Sequence, residues 1–373
     1  MTDPQAVLDA VAAQTGAISA VSRFVHDHPE LGHEEHKCSR YLCDTLAAAG
    51  LEVDRGVAGM DTAFRATLRG SRPGRTTGFV CLYDAVAAVR PDGRTEAVHS
   101  CGHGPIAGAV TGAALALFQL RDGLAGSVAV MGCPADEIHA PGTIERGGGK
   151  AISAAAGLWD GVDAALYAHP EFIDTVSLES RWMRRAIATV AGTRSLGTAD
   201  QPPLRAALAA LEATRSLVPD DVMLERLQFE GDVEGDTGLV FKATFLLFGD
   251  EEQAVDRGLA TVQEALPEAS WNLGGLVEAV RPDDRVTAAV ASAFRTLGRD
   301  FVESPPRLPF ATDFGNISQR CPAALIGVRR PGGWAFHTDE GAAQFASQDG
   351  EDAALTIAQV LALAAVELCE PAA

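Results

Sequence analysis

Two spacings of apolar residues alternate along the chain, and the switches between them mark out its elements. From Pro4 to Asp27 apolar residues return every third or fourth position, which predicts helix, and a second helix over Glu34–Ala49 stops at Gly50. Three short apolar runs, Ala63–Leu68, Thr77–Leu82 and Ser127–Cys133, are bounded by glycine or charge and fit buried strands. An alanine-rich helix over Pro105–Leu120 separates the last two, and Asp163–Ala168 reads as a further strand. Strands alternating with helices predict an α/β fold, a mostly parallel sheet sandwiched by helices.

Near Arg184 the pattern changes. A strand over Ala186–Ala191 is followed by a helix over Pro203–Ser216 and strands over Met223–Glu230 and Leu239–Phe248. A helix over Glu251–Leu266 and a strand over Ser270–Val280 complete the segment. That order describes a smaller α+β open-faced sandwich, and from Val286 the earlier pattern resumes. The expected organisation is therefore an outer domain over 1–184 and 285–373, interrupted by an inserted domain over 185–284.

Charge narrows the partners. Fifty acidic residues against thirty basic ones give a formal net charge of −20, which repels phosphate backbones, so no nucleic-acid partner is expected. No run approaching roughly 18 apolar residues and no basic-then-apolar leader is read, so neither a membrane partner nor export is expected, and a cytoplasmic protein is. Seven cysteines, an odd number, argue against a disulfide framework. Most are expected to be small buried hydrophobes, with Cys101 the exception.

Potential ligands gather in His99-Ser100-Cys101-Gly102-His103-Gly104, between a strand ending near Asp84 and the helix that begins at Pro105. Loops at the carboxyl ends of parallel strands are where α/β folds build sites, and thiolate with imidazole suits a borderline-soft metal. Alone, the cluster is a weak motif and reads first as loop residues that cap the helix. Asp136 and Glu137 follow the next strand, where one carboxylate can coordinate while its neighbour takes a proton from water. As a lone pair they could also be acidic residues at a helix start. His169 ends a third run and His337 stands in Phe336-His337-Thr338, so several potential ligands fall at strand ends. Arg146-Gly147-Gly148-Gly149-Lys150 lacks the spacing of a phosphate loop and reads as a flexible turn near the site. His26, His28, His33, His36 and His139 sit beside helix ends or acids and read as structural or solvated.

In combination, HSCGHG, CPADE followed by GGGK, YAHP, ATDFGNISQ and FHTDE resemble the zinc metallopeptidase family of aminoacylases, indole-acetyl-amino-acid amidohydrolases and aminobenzoyl-glutamate hydrolases. CLYDAV at Cys81–Val86 and HPELGHEE at His28–Glu35 point to its aminobenzoyl-glutamate hydrolase and dipeptidase-like branch. The resemblance spans nearly the whole chain. It implies two divalent ions, Zn or Mn, held by Cys101, His103, Glu137, His169 and His337. It also implies a small-molecule amide or dipeptide substrate, cleaved by water activated at the metals with Asp136 moving its proton. The inserted domain would serve as lid and dimerisation surface of a homodimer. Asp84 is expected to orient His103, while Asp313 and Asn316 fall on the substrate-side loop, where the other reading is an Asx turn.

Three positions depart from that family's usual pattern. Asp136 stands where Glu is usual, which draws the carboxylate back by about 1.5 Å. Gly104 stands where Asp or Asn is usual, and Leu196 where a histidine would reach the substrate carbonyl. Losing such a donor costs about 100- to 1000-fold in rate; Arg194 is the nearby residue that could stand in, the other reading being a surface role. These departures leave a rival reading, a scaffold recruited to a biosynthetic transformation or a binding role.

Overall fold

The computed structural model describes residues 2–191, 202–216, 221–231 and 239–371, so Arg194 and Leu196 lie outside the described residues. Its contacts resolve into two compact units. One comprises Met1–Glu179, Val280–Pro306 and Asp313–Ala373; the other comprises Ser180–Ala279 with Arg307–Thr312.

The first unit opens with α1 (Pro4–Ala12), α2 (Thr15–Asp27) and α3 (His36–Ala48). The periodic stretch expected as one helix is thus two, since Ala13 and Gln14 separate α1 from α2. Then come β1 (Glu52–Arg55), β2 (Phe64–Arg69), β3 (Arg72–Cys81) and the ribbon of β4 (Val86–Val89) and β5 (Thr95–Val98). Next are α4 (His103–Gln119), β6 (Ala125–Gly132), α5 (Pro141–Arg146), α6 (Gly149–Ala155) and β7 (Ala164–Glu171).

The second unit holds β8 (Trp182–Ala191), α7 (Pro202–Ser216), β9 (Val222–Gly231), β10 (Leu239–Gly249), α8 (Glu252–Ala265) and β11 (Ser270–Val277). Its antiparallel sheet runs β11-β8-β10-β9. Alternate residues of β10, Phe241, Ala243, Phe245 and Leu247, are fully buried and form one core with Val255 and Val262 of α8.

The chain returns to the first unit with α9 (Asp284–Thr296), α10 (Phe314–Ser318), β12 (Ala323–Arg329), α11 (Asp339–Phe345) and α12 (Gln348–Cys369). Its sheet runs β1-β2-β6-β3-β7-β12, with β6, β3, β7 and β12 parallel and β2 antiparallel to β6. Four neighbouring strands therefore end on one edge, the place where such sheets carry ligands.

Helix α4 has almost no polar face and is buried nearly all round, packed against α2 and α12. A Cβ on Gly108 would stand 2.5 Å from the Ile18 carbonyl oxygen, and one on Gly104 2.8 Å from that of Ser22, so the α2 contact demands glycine there. This gives Gly104 a packing reason. Helix α12 holds an 18-residue window of mean hydropathy 1.7, which corrects the expectation that no run approaches this length. With 72% of that window buried, it is a core helix of this unit.

Candidate metal centre

Each strand end of the parallel edge delivers part of the site. Past β3 the chain reaches Asp84; past β6, Asp136 and Glu137; at the end of β7, His169 and Glu171; past β12, His337. Cys101 and His103 come from the turn into α4, whose Gly102 has φ +101°, a left-handed conformation that glycine adopts without strain.

The five side chains meet. Donor atoms of Cys101, His103 and His169 lie within 4.8 Å of one another, and so do those of Cys101, Glu137 and His337. The Cys101 Sγ is 3.7 Å from His169 Nε2, His103 Nε2 is 3.8 Å from Glu137 Oε1, and His337 Nε2 is 3.7 Å from Glu137 Oε2. The thiol lies within the longer hydrogen-bond reach of sulfur from His169, whereas the two histidine–carboxylate separations are too long for good hydrogen bonds and leave room for cations between the donors.

The surrounding groups aim the donors. His103 Nδ1 faces the Asp84 carbonyl at 2.7 Å and the Asp84 Oδ1 at 3.0 Å, which turns Nε2 into the cluster. The other Asp84 oxygen accepts the Glu137 amide at 2.8 Å. His169 Nδ1 faces Glu171 Oε1 at 3.1 Å, directing Nε2 towards Cys101. The His337 amide donates to the Ser100 carbonyl at 2.9 Å, and Thr338 next to it caps α11. Ala135 and His337 both hold positive φ, +57° and +59°, a strained conformation for residues with a Cβ and one that collects at functional sites. Glu35 accepts the Ala135 amide at 2.9 Å and the Thr62 hydroxyl at 2.9 Å, fixing the turn that presents Asp136.

The chemistry of the donor set fits a divalent cation. Among the described residues His103 Nε2 and Glu137 Oε1 are buried without a well-aligned hydrogen-bond partner, a costly state that coordination would relieve. Burial, and then the charge of nearby carboxylates, pushes Glu137 up to about 8 and raises the Cys101 thiol as well. Burial also opposes charge on His103, but Asp84 and Asp136 outweigh it and hold its pKa well above the ordinary histidine value. A cation among these groups reverses that balance and favours thiolate, carboxylate and neutral imidazole together.

Asp136 stands beside the donors, with Oδ2 3.3 Å from His103 Nε2. Its other oxygen contacts the ammonium of Lys150, which is fully buried and lies 2.7 Å from Asp313 Oδ1. Two sequence readings change here. The Arg146–Lys150 stretch is the junction of α5 and α6 rather than a flexible turn, because Lys150 is anchored on carboxylates. Asp313, read as substrate-side, is 4% exposed and spends its second oxygen on the amides of Lys150 and Ala151 at 3.0 and 3.1 Å, so it is an internal clamp. Asn316 lies in α10, 6% exposed. Glu35, Lys150 and Glu171 carry no signal of their own in the sequence, although Glu35 and Lys150 lie in the HPELGHEE and GGGK stretches.

A sequence profile of the peptidase family M20/M25/M40 matches residues 81–365. Among curated proteins, one of the p-aminobenzoyl-glutamate hydrolase subunits of Escherichia coli (strain K12) is 32% identical over 174 residues, 44% of this chain and 34% of that one. The N-acyl-L-amino acid amidohydrolase of Geobacillus stearothermophilus is 29% identical over 160 residues, 41% of this chain and 40% of that one. The match thus spans between a third and two fifths of these relatives' length. Among solved structures, a Bacillus subtilis protein described as a dinuclear metal-binding peptidase of the M20 family has the same fold. The TM-score is 0.69 at 20% identity, covering 96% of this chain and 99% of that one. A Klebsiella pneumoniae aminobenzoyl-glutamate utilization protein gives 0.70 at 16% identity, covering 96% and 98%. With the profile extending over most of its length, the chain belongs to the peptidase family M20/M25/M40.

Proposed function

We propose that the chain is a dinuclear metal-dependent amidohydrolase acting on an N-acyl amino acid, a dipeptide or an aminobenzoyl-glutamate-like compound. The observation that carries this reading is the meeting of the donor atoms of Cys101, His103, Glu137, His169 and His337 in two overlapping groups of three. Those residues would hold two ions, and a set of one thiolate, three imidazoles and one carboxylate suits Zn or Mn. When bound, the ions supply Lewis-acid polarisation of an amide carbonyl and acidify water. The chain's own residues do the rest. Asp84 and Glu171 orient His103 and His169, and Asp136 Oδ2, beside the cluster, takes a proton and returns it to the leaving amine.

The names of the relatives support amide substrates of this size. A homodimer through the second unit is supported by Leu204, Leu208 and Leu211, which leave 45, 69 and 49% of their surface exposed along one face of α7. Seven free thiols support a reducing compartment, in keeping with a cytoplasmic protein.

The test is metal analysis of the purified chain together with hydrolysis of a panel of acyl amino acids, dipeptides and aminobenzoyl-glutamate. Two ions per chain and cleavage of at least one compound are expected, with Asp136→Ala keeping the ions and losing turnover. A chain without metal affinity would sink the reading. One that binds two ions and cleaves nothing would favour the recruited scaffold.

A further inference from the structure

Lys150 is an ion the proposed hydrolysis leaves without a task, and it is fully buried. Burying an ammonium is costly unless its environment repays it, so its partners describe its work. The amine touches Asp136 Oδ1, lies 2.7 Å from Asp313 Oδ1, and stands 5.4 Å from the centre of the Tyr167 ring. Two carboxylates engage the ammonium directly and a ring face lies beyond them. The amine is therefore not available as nucleophile or proton carrier.

The anchoring is built from distant parts of the chain. Asp313, at the start of α10, holds the ammonium through one oxygen and the first amides of α6 through the other. The approach depends on the glycines before Lys150. A Cβ on Gly148 would stand 2.2 Å from Asp313 Oδ2, and one on Gly149 would stand 2.0 Å from the Pro134 carbonyl oxygen. Lys150 is thereby locked against the turn carrying Asp136. Because the ammonium claims Oδ1, the short carboxylate can present only Oδ2 to the cluster, 3.3 Å from His103 Nε2.

We propose that Lys150, clamped by Asp313, is a positioning residue that fixes the Asp136 carboxylate with one oxygen turned to the metal centre. The inference rests on the amidohydrolase reading for its effect on rate, though not for its geometry.

The experiment uses the full chain loaded with Zn, as wild type, Lys150→Met, and the charge-balanced pair Lys150→Met with Asp313→Asn, which removes one positive and one negative charge together. In the paired variant two ions per chain and a melting temperature within about 5 °C of wild type are expected. The kcat should fall about 100-fold while KM moves less than threefold, the signature of a misplaced catalytic group. In crystals of the loaded paired variant, the Asp136 carboxylate should have rotated away from His103. An unchanged kcat, an unmoved Asp136, or loss of a metal ion from the paired variant would each overturn the proposal. If wild type cleaves nothing while Asp136 rotates in the variant, the hydrolase reading fails and the positioning role stands.

Discussion

Arg330 donates through Nη2 to the Trp334 carbonyl at 2.7 Å, and its remaining guanidinium nitrogens Nε and Nη1 have no hydrogen-bond partner among the described residues. Aromatic rings take their place. The guanidinium carbon lies 4.3 Å from the Phe172 ring centre, 4.5 Å from Trp334, 4.4 Å from Phe336 and 5.7 Å from Phe345. Phe172 continues the strand end that carries His169, and Phe336 directly precedes His337 with its ring 5.3 Å from that of His169. One buried cation thus ties together two segments that supply donors.

Replacing Arg330 by Met keeps much of the volume and removes the charge. Desolvated cation–π contacts are worth about 2 kcal/mol or more, so the variant should lose roughly 2–4 kcal/mol in urea denaturation. It should also bind metal at least tenfold more weakly in titration calorimetry. Lysine should not rescue it, because an ammonium lacks the plane that stacks against several rings. Wild-type metal affinity in Arg330→Met would show that the aromatic cage supports the fold and not the donors.

The strand-end residues are legible because their signals are local. A short apolar run followed at once by Asp136-Glu137 or His169 announces both the strand and the edge where it stops. The short strands β1 and β5 carry no such run and give no signal, and neither does the break between α1 and α2, across which the apolar spacing continues. The supporting residues are hidden for another reason. Lys150 finds Asp313 across 163 positions, and Glu35 finds Ala135 across 100. Nothing near Lys150 in the sequence says that carboxylates await it, so a lysine after three glycines reads only as part of a flexible turn near the site until the fold is known.

Glu35 should leave a mark on the pH dependence of stability. In the metal-free protein, burial and then the charge of Asp84 push its pKa up to about 8 from 4.5, against the pull of the Ala135 amide and the Thr62 hydroxyl. Between pH 4.5 and about 8 the folded chain keeps a proton that the unfolded chain has released, so stability falls as pH rises through that window. The slope can reach about 1.4 kcal/mol per pH unit and should vanish above the window. Glu137, also raised to about 8 by burial first, adds a slope of the same sign. Glu35→Gln cannot ionise, so the difference between wild type and variant isolates Glu35. Urea denaturation of chelator-treated protein from pH 5 to 9 should show the variant losing less stability. Parallel curves would mean that Glu35 is ionised in the fold.

Gly102 separates Cys101 from His103 at φ +101°, and a Cβ there would stand 2.6 Å from Pro170 Cγ and 3.0 Å from Phe345 Cε1. Alanine would meet both a disfavoured backbone conformation and two packed rings. The backbone alone costs about 1–2 kcal/mol. Gly102→Ala is therefore expected to lose about 2 kcal/mol or more and to weaken metal binding at least tenfold, because the flanking donors must shift. Unchanged melting and metal titration would refute the tight fit.

Cys101 is the one residue common to both groups of converging donors, joined by His103 and His169 in one and by Glu137 and His337 in the other. Loss of a donor particular to one group should remove one ion and spare its neighbour. Loss of the shared thiol should weaken both. His169→Ala and His337→Ala are thus expected to retain about one tightly held ion per chain after gel filtration against a weak chelator, and Cys101→Ala to retain close to none. Cys101→Ser should not restore the pair, since a hydroxyl gives up its proton far less readily than a thiol beside a divalent cation. Circular dichroism of each variant guards against mere unfolding, and the mostly buried setting of Cys101 makes alanine a mild change in volume. If Cys101→Ala held one ion as firmly as His337→Ala does, the thiol would belong to a single metal and the two groups would not share it.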